Sequence, residues 1–416
     1  MTLTTLGIDL ASQPAGTAAC LVEWPDRGAP VVHEPIKKLD DDALIAMAQG
    51  CDVVGIDAPF GWPSAFVELI SAHHAGVAPA VDWTDDDARR ALRLRRCDRW
   101  LWKESGLGGR APLSVSTDLI SLPAMRCIGL LRRLGVTDRS GGRIVEVYPA
   151  AALRRWTRDP AKYKGRTPAA ATKRAALRLE LERRLGLSIP PSATLDDDRL
   201  DAVVAACVAR AAHLGHTMAP APVQLPHAQR EGWIHVPGIR PDDPRLAFLR
   251  EHQTQTTGHS DRTLLEHLLG TWQLLADWGN PAAVCNAGLF HSVYGTESFQ
   301  HAAVPTSLRP QVRALIGERA ERVAWLFGRR TNVSFAANAS RSSGHTLADR
   351  STGATLPLSP QDWQDLCEVF VANAIEQKAA VDPDRVRDVT ARFSWIAQHT
   401  SAQAAEAWRR SPEDLV

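Results

Sequence analysis

GIDLA at Gly7–Ala11 and GIDAPFGWP at Gly55–Pro63 decide how the first half of this chain is read. Each brings an apolar, strand-like run to an aspartate, Asp9 or Asp57. VEVYPA at Val145–Ala150 places Glu146 in a similar setting. DDRLDAVVAA at Asp197–Ala206 sets Asp198 and Asp201 three residues apart, on one face of a helix. Carboxylates gathered from separate elements repel one another unless positive charge sits among them. A divalent metal is the usual remedy, and paired metals can drive phosphodiester hydrolysis.

Working outward from these motifs, residues 5–9, 17–24 and 31–36 read as three strands. Residues 40–49 read as a helix with acids in its first turn, and residues 52–57 as a returning apolar strand ended by Pro59 and Pro63. Helices are expected at 84–100, with Thr84 as N-cap, and at 123–134, 169–185 and 198–214. Residues 143–148 form a further strand carrying Glu146. Asp198 also has a plain reading as the N-cap of its helix, and Glu146 as an ion-pair partner for RLRRCD at Arg93–Asp98. SGLGGR at Ser105–Arg110 lacks the lysine of a phosphate-binding loop and reads as loop.

At 416 residues the chain exceeds one ordinary core. Prolines crowd residues 216–243, between two periodic regions, and GWIHVP at Gly232–Pro237 reads as a last strand of the first region. We divide the chain there into domains 1–240 and 241–416. The net charge of +1 gives no sign of a strongly basic nucleic-acid surface, although a local one is compatible with it. Seven cysteines without CxxC spacing read as free thiols in a reducing cytoplasm. No signal peptide or membrane-spanning run is visible.

Together GIDLA, GIDAPFGWP, RLRRCD, VEVYPA and DDRLDAVVAA resemble the uncharacterised predicted-nuclease family (DUF 429) of the ribonuclease H-like superfamily, over residues 1 to about 238. Three antiparallel strands, a helix and a parallel strand also begin that architecture. Carried over from the resolvase type of that superfamily, the resemblance implies Asp9, Asp57, Asp198 and Asp201 as ligands of Mg²⁺ or Mn²⁺. Glu146 joins them as an acid of the family's own motif. Asp9 would bridge two ions, and Arg93, Arg95 and Arg96 would contact substrate phosphates. The implied substrate is a nucleic acid or a nucleotide.

The second half is helical by pattern, at residues 261–278, 281–291, 310–327, 361–377, 383–397 and 402–408, with a surface loop at 332–360. His267 in LLEHLLGTW, His291 in AGLFHSVYGTE and Asn373 in VANAIEQ stand out. This half resembles an HD-type metallohydrolase domain similar to (p)ppGpp hydrolases. The fold class is thus α/β plus all-α: a ribonuclease H-like mixed-sheet domain followed by an HD-like helical domain. The resemblance implies His267 and His291 as ligands of a transition metal. Ser292 departs from it where an aspartate belongs, Gly295 and Thr296 stand at an acidic pair's positions, and Asn373 falls at the last ligand's place. Glu297 could replace one lost carboxylate. The alternative is a histidine pair that only fills the core. Arg262, Tyr294, Glu297 and His259 are polar residues that could line a small-molecule pocket. The expected activity is metal-dependent phosphodiester hydrolysis, with a helical domain that binds or processes a nucleotide-like ligand. The alternatives are a non-catalytic regulatory protein or a small-molecule hydrolase acting through the helical domain.

Overall fold

Strand β1, Leu3–Asp9, is the spine of the first half. In a computed structural model, residues 2–26, 28–77, 81–116, 118–259, 262–377 and 383–410 are described. The chain separates into two compact units. The first comprises Met1–Asp26, Pro30–Glu182 and Leu187–Pro241, and the second Arg27–Ala29, Arg183–Gly186 and Asp242–Val416.

In the first unit, β1 pairs antiparallel with β2, Ala18–Trp24. β2 carries two short antiparallel partners, β3 (Val31–Val32) and β4 (Ile36–Lys37). Helix α1, Asp41–Gln49, begins where the Asp40 carboxylate accepts the Ala43 N–H at 2.9 Å. The chain then returns as β5, Val53–Asp57, parallel to β1 with Asp57 in register with Asp9. Strands β6 (Ile144–Val147) and β7 (Ile234–His235) extend the parallel part, giving the order β3-β2-β1-β5-β6-β7. Between β5 and β6 lie α2 (Ser64–His74), α3 (Asp86–Arg93), α4 (Arg96–Lys103) and α5 (Asp118–Arg133). Between β6 and β7 lie α6 (Pro149–Trp156), α7 (Pro168–Leu185), α8 (Asp197–His213) and α9 (Leu225–Glu231).

Two glycines let α8 lie directly on the sheet. A Cβ at Gly7 would sit 2.0 Å from the Ala202 carbonyl oxygen, and one at Gly55 would sit 2.5 Å from that of Ala205. The buried face of α8 is correspondingly small, with Ala202, Ala205 and Ala206 fully enclosed. The glycine that precedes each Ile-Asp pair therefore brings α8 close, and α8 brings Asp198 and Asp201 to the strand ends.

Several expected elements are divided. The strand expected at 31–36 is the pair β3 and β4, with Pro35 between them. The helix expected at 84–100 breaks into α3 and α4. Leu94 is extended there (φ −124°, ψ 129°), Asp85 caps α3, and Asp98 reaches back to the Arg95 N–H at 3.0 Å. Asp196, not Asp198, caps α8, accepting the Arg199 N–H at 3.0 Å.

The second unit is mainly helical: α10 (Pro244–Glu251), α11 (Leu264–Asp277), α12 (Ala282–Phe290), α13 (Arg309–Ile316), α14 (Glu318–Arg329), α15 (Asn332–Ala336), α16 (Pro360–Gln377), α17 (Pro383–Arg392) and α18 (Ala402–Arg410). Short strands β8 (Gly258–His259) and β9 (Arg262–Thr263) form a hairpin before α11, whose expected start at residue 261 lies outside the described residues. Helices α11, α12, α14 and α16 pack on one another around Leu268, Leu275, Leu289 and Leu366, all fully buried. Gly317, at φ +89°, splits the helix expected at 310–327 into α13 and α14. The loop expected at 332–360 contains α15 and a hairpin of β10 (Thr346–Ala348) and β11 (Thr355–Pro357). The seven cysteines are buried free thiols. No helix among the described residues is long and apolar enough to cross a membrane.

Candidate functional site

In the first unit, acids meet at the carboxyl ends of β1 and β5. Asp9 and Asp57 are the last residues of neighbouring parallel strands, which lie about 4.8 Å apart. Among the described residues, no hydrogen bond or ion pair reaches either carboxylate. Asp201, fully buried on α8, accepts the Tyr163 hydroxyl at 2.8 Å on Oδ1. Lys164 Nζ stands 2.9 Å from its Oδ2.

The electrostatics record this crowding. Burial, then Asp57 and Asp201, push the Asp9 carboxyl well above the usual carboxylate range. Burial pushes Asp57 up to about 7, with Lys164 opposing and Asp201 adding to the rise. Asp201 is raised by burial, again against Lys164. Burial would lower Lys164, but Asp201 and Asp57 outweigh it and keep the ammonium protonated.

Asp198, only half-buried, is ion-paired with Lys37 on β4. Glu146 lies apart from the trio in hydrogen bonding. It receives two bonds from the Arg95 guanidinium, at 2.8 and 2.6 Å, and one from the Phe60 N–H at 3.0 Å. Arg95 is 2% exposed and also grips Asp98 through two bonds, at 3.0 and 2.9 Å. That arginine therefore clamps the fold rather than facing a ligand, while Arg93 and Arg96 remain exposed. Sequence reading missed Tyr163, Lys164 and Lys37. The available signal was the scarcity of lysine: the chain has seven, and two of them sit on these acids.

The oxygen-only donors suit a hard divalent ion. Among the described residues, no group of three or more His, Cys, Asp or Glu side chains is already gathered as a metal shell.

In the second unit, His267 of α11 and His291, which ends α12, bring their Nε2 atoms 3.1 Å apart. The His291 Nδ1–H donates to the Gly288 carbonyl at 2.7 Å. His267 Nδ1 is held by the Glu376 carboxylate, which also pairs with Arg262 at 2.7 Å. Both acceptors fix the ring proton on Nδ1 and leave lone pairs on both Nε2 atoms. Asn373 Oδ1, another acceptor, lies 2.9 Å from His291 Nε2, and the Ser292 hydroxyl donates to the same nitrogen at 2.7 Å. Burial, then His259 and Arg262, push the His267 imidazole down to about 3, and burial and His267 lower His291. Both rings are neutral at pH 7, the form that binds metals.

A cavity of about 320 Å³ opens beside this pair, lined in part by His259, His291, Ser292, Glu297, Arg330 and Asn373. Glu297 reaches it, accepting the Asn332 N–H at 2.7 Å. Tyr294 and Arg262 do not line it. Tyr294 donates to Glu321 at 3.3 Å, and Arg262 is engaged with Glu376. Arg330 was not visible from sequence, because nothing marks one arginine of GRR as buried.

With a mixed sheet carrying an acid cluster and a helical unit carrying a histidine pair, the chain can be set among known families. It belongs to the family described as Protein of unknown function (DUF429), whose model matches residues 7–225. Residues 248–330 match a second model, Domain of unknown function (DUF6817). No curated protein and no solved structure matches the chain.

Proposed function

We propose that the first unit is a metal-dependent phosphodiester hydrolase, a nuclease of the ribonuclease H-like kind. The observation that carries this reading is the trio Asp9, Asp57 and Asp201, mutually repelling and balanced by one lysine. The strand order, with β2 antiparallel and β5 parallel to β1, supports it. Asp9 and Asp57 would hold Mg²⁺ or Mn²⁺ by two carboxylates, the number such ions commonly take from protein. The bound ion would supply activation of water and stabilisation of the leaving oxygen. Asp201 adds negative charge from α8, with its Oδ1 held by Tyr163. Lys164 can offer its ammonium to a phosphate oxygen, and the exposed Arg93 and Arg96 can contact flanking phosphates. Glu146 and Arg95 hold β6 to α4 and take no part in the chemistry. The test is cleavage of single-stranded DNA, duplex DNA, RNA and dinucleotides with Mg²⁺ or Mn²⁺. Cleavage abolished by chelator and by Asp9→Asn supports the reading. No cleavage of any of them, or cleavage unaffected by Asp9→Asn, contradicts it.

A second reading concerns the helical unit, which we take as HD-like and as binding a nucleotide-like ligand. Both Nε2 lone pairs and the Asn373 amide oxygen face one point, where the Ser292 hydroxyl serves His291 at 2.7 Å and the Gln377 amide serves Asn373 at 3.0 Å, and a cation there would take the place of these donors. Two imidazoles bound about 2.1 Å from one transition ion stand about 3.0–3.4 Å apart, which the His267–His291 spacing of 3.1 Å matches. Glu376 and the Gly288 carbonyl orient the rings as outer-shell partners do.

A further inference from the structure

We propose that the cavity of the helical unit receives a small organic molecule bearing an oxyanion, a phosphate monoester or a carboxylate, and that Arg330 is its anchor. The inference rests on the reading of this unit as ligand-binding.

Arg330 is 7% exposed and lines the cavity. Its Nη1 donates to Asn332 Oδ1 at 2.6 Å, while its Nε is buried without a hydrogen-bond partner. Among the described residues, no carboxylate forms an ion pair with it. Several other arginines of this unit are matched to acids: Arg309 to Glu321, Arg319 to Asp365, Arg322 to Asp362 and Arg262 to Glu376. Glu297 attracts Arg330 from the cavity wall without a direct ion pair, and one of its oxygens, Oε2, accepts the Asn332 N–H. Around the guanidinium stand the rings of Phe327, Phe335 and Phe370, with centroids 4.3, 5.0 and 5.1 Å from its central carbon. Burial lowers its pKa to about 10, so it stays cationic at pH 7.

A buried cation without an ionic partner is costly unless a ligand supplies the charge. The planar guanidinium matches the two oxygens of a carboxylate or phosphate. A second orphan, His259 Nδ1, is buried without a hydrogen-bond partner on a residue of the same cavity. Ser292, Asn373 and Gln377 add hydroxyl and amide groups suited to the neutral part of a ligand. The volume of about 320 Å³ suits a metabolite-sized molecule rather than a strand of nucleic acid.

The test is calorimetric titration of the full chain with inorganic phosphate and with malonate, against sodium chloride at equal ionic strength. Saturable binding of either anion by the wild type, weakened at least tenfold in Arg330→Gln, is expected. Tighter binding of phosphate marks a phosphate monoester, and tighter binding of malonate a carboxylate. If Arg330→Gln does not fold, Arg330→Lys decides. It keeps the charge but loses the fork, so weaker binding supports the anchor and unchanged binding overturns it. Binding of neither anion by the wild type also overturns it. If guanosine or adenosine then binds, and Asn373→Ala abolishes that binding, the ligand-binding reading survives without the anchor. If no anion, nucleoside or nucleotide binds, both readings fall.

Discussion

Lys164 Nζ lies 2.9 Å from Asp201 Oδ2 and opposes the rise that burial gives the carboxyls of Asp9, Asp57 and Asp201. Its side chain is 55% exposed, whereas that of Asp201 is 1% exposed, so the lysine reaches in from the surface to neutralise a buried charge. Lys164→Met should lower stability by about 1–2 kcal/mol in chelator, a buried-pair cost discounted for the exposed partner. Mn²⁺ should restore more stability to the variant than to the wild type. Chemical denaturation with and without Mn²⁺ measures both, and equal stabilities in chelator would argue that Lys164 does not balance the cluster.

The pH dependence follows from Asp57. Its carboxyl titrates near 7 in the folded chain, against 3.8 ordinarily. The folded state thus holds this proton more tightly than the unfolded state. The resulting stability is fully present below about pH 4 and is lost as pH rises through about 7. Asp57→Asn cannot titrate, so its stability in chelator should gain on that of the wild type from pH 5 to pH 8. A difference that does not change with pH across that interval would contradict the assignment.

Arg95 and Glu146 answer to stability rather than to chemistry. Arg95→Met leaves two buried carboxylates, Asp98 and Glu146, without their guanidinium. The expected cost is about 3–5 kcal/mol by urea denaturation, and adding Glu146→Gln should recover part of it. A loss below about 1 kcal/mol would remove the clamp from the account.

The sheet was legible because Asp9 and Asp57 each end an apolar run, and the helical unit because Leu264, Leu268 and Leu275 keep a helical period. Breaks were harder to read. Leu94 turns extended within a sequence that is helical on both sides, because Asp98 supplies a new cap. Gly317 was readable in principle, since a glycine within a helical pattern can stop it. Asp9, Asp57 and Asp201 were legible as acids in motifs. Lys164 and Arg330 were not, because their roles depend on which distant side chains they meet. Glu146 was open in sequence to two readings, a site acid or an ion-pair partner of RLRRCD, and Arg95, 51 positions away, holds it in the second.

The histidine pair predicts weak metal binding that can be strengthened. Ser292 and Asn373 contribute no negative charge to the point the imidazoles face. Ser292→Asp with Asn373→Asp should raise Mn²⁺, Fe²⁺ or Zn²⁺ content in the full chain, measured by elemental analysis. Full occupancy in the wild type would overturn the weakened-site reading, and no metal in either protein would assign the histidines to the core.

In the proposed hydrolase, Asp9 and Asp57 seat the divalent ion used for phosphodiester hydrolysis. Calorimetric titration of Mn²⁺ into the wild type, Asp9→Asn and Asp57→Asn, with folding checked by circular dichroism, tests this most directly. Saturable binding by the wild type and at least a tenfold loss in each folded variant are expected. Equal binding by all three, or none by the wild type, would contradict it.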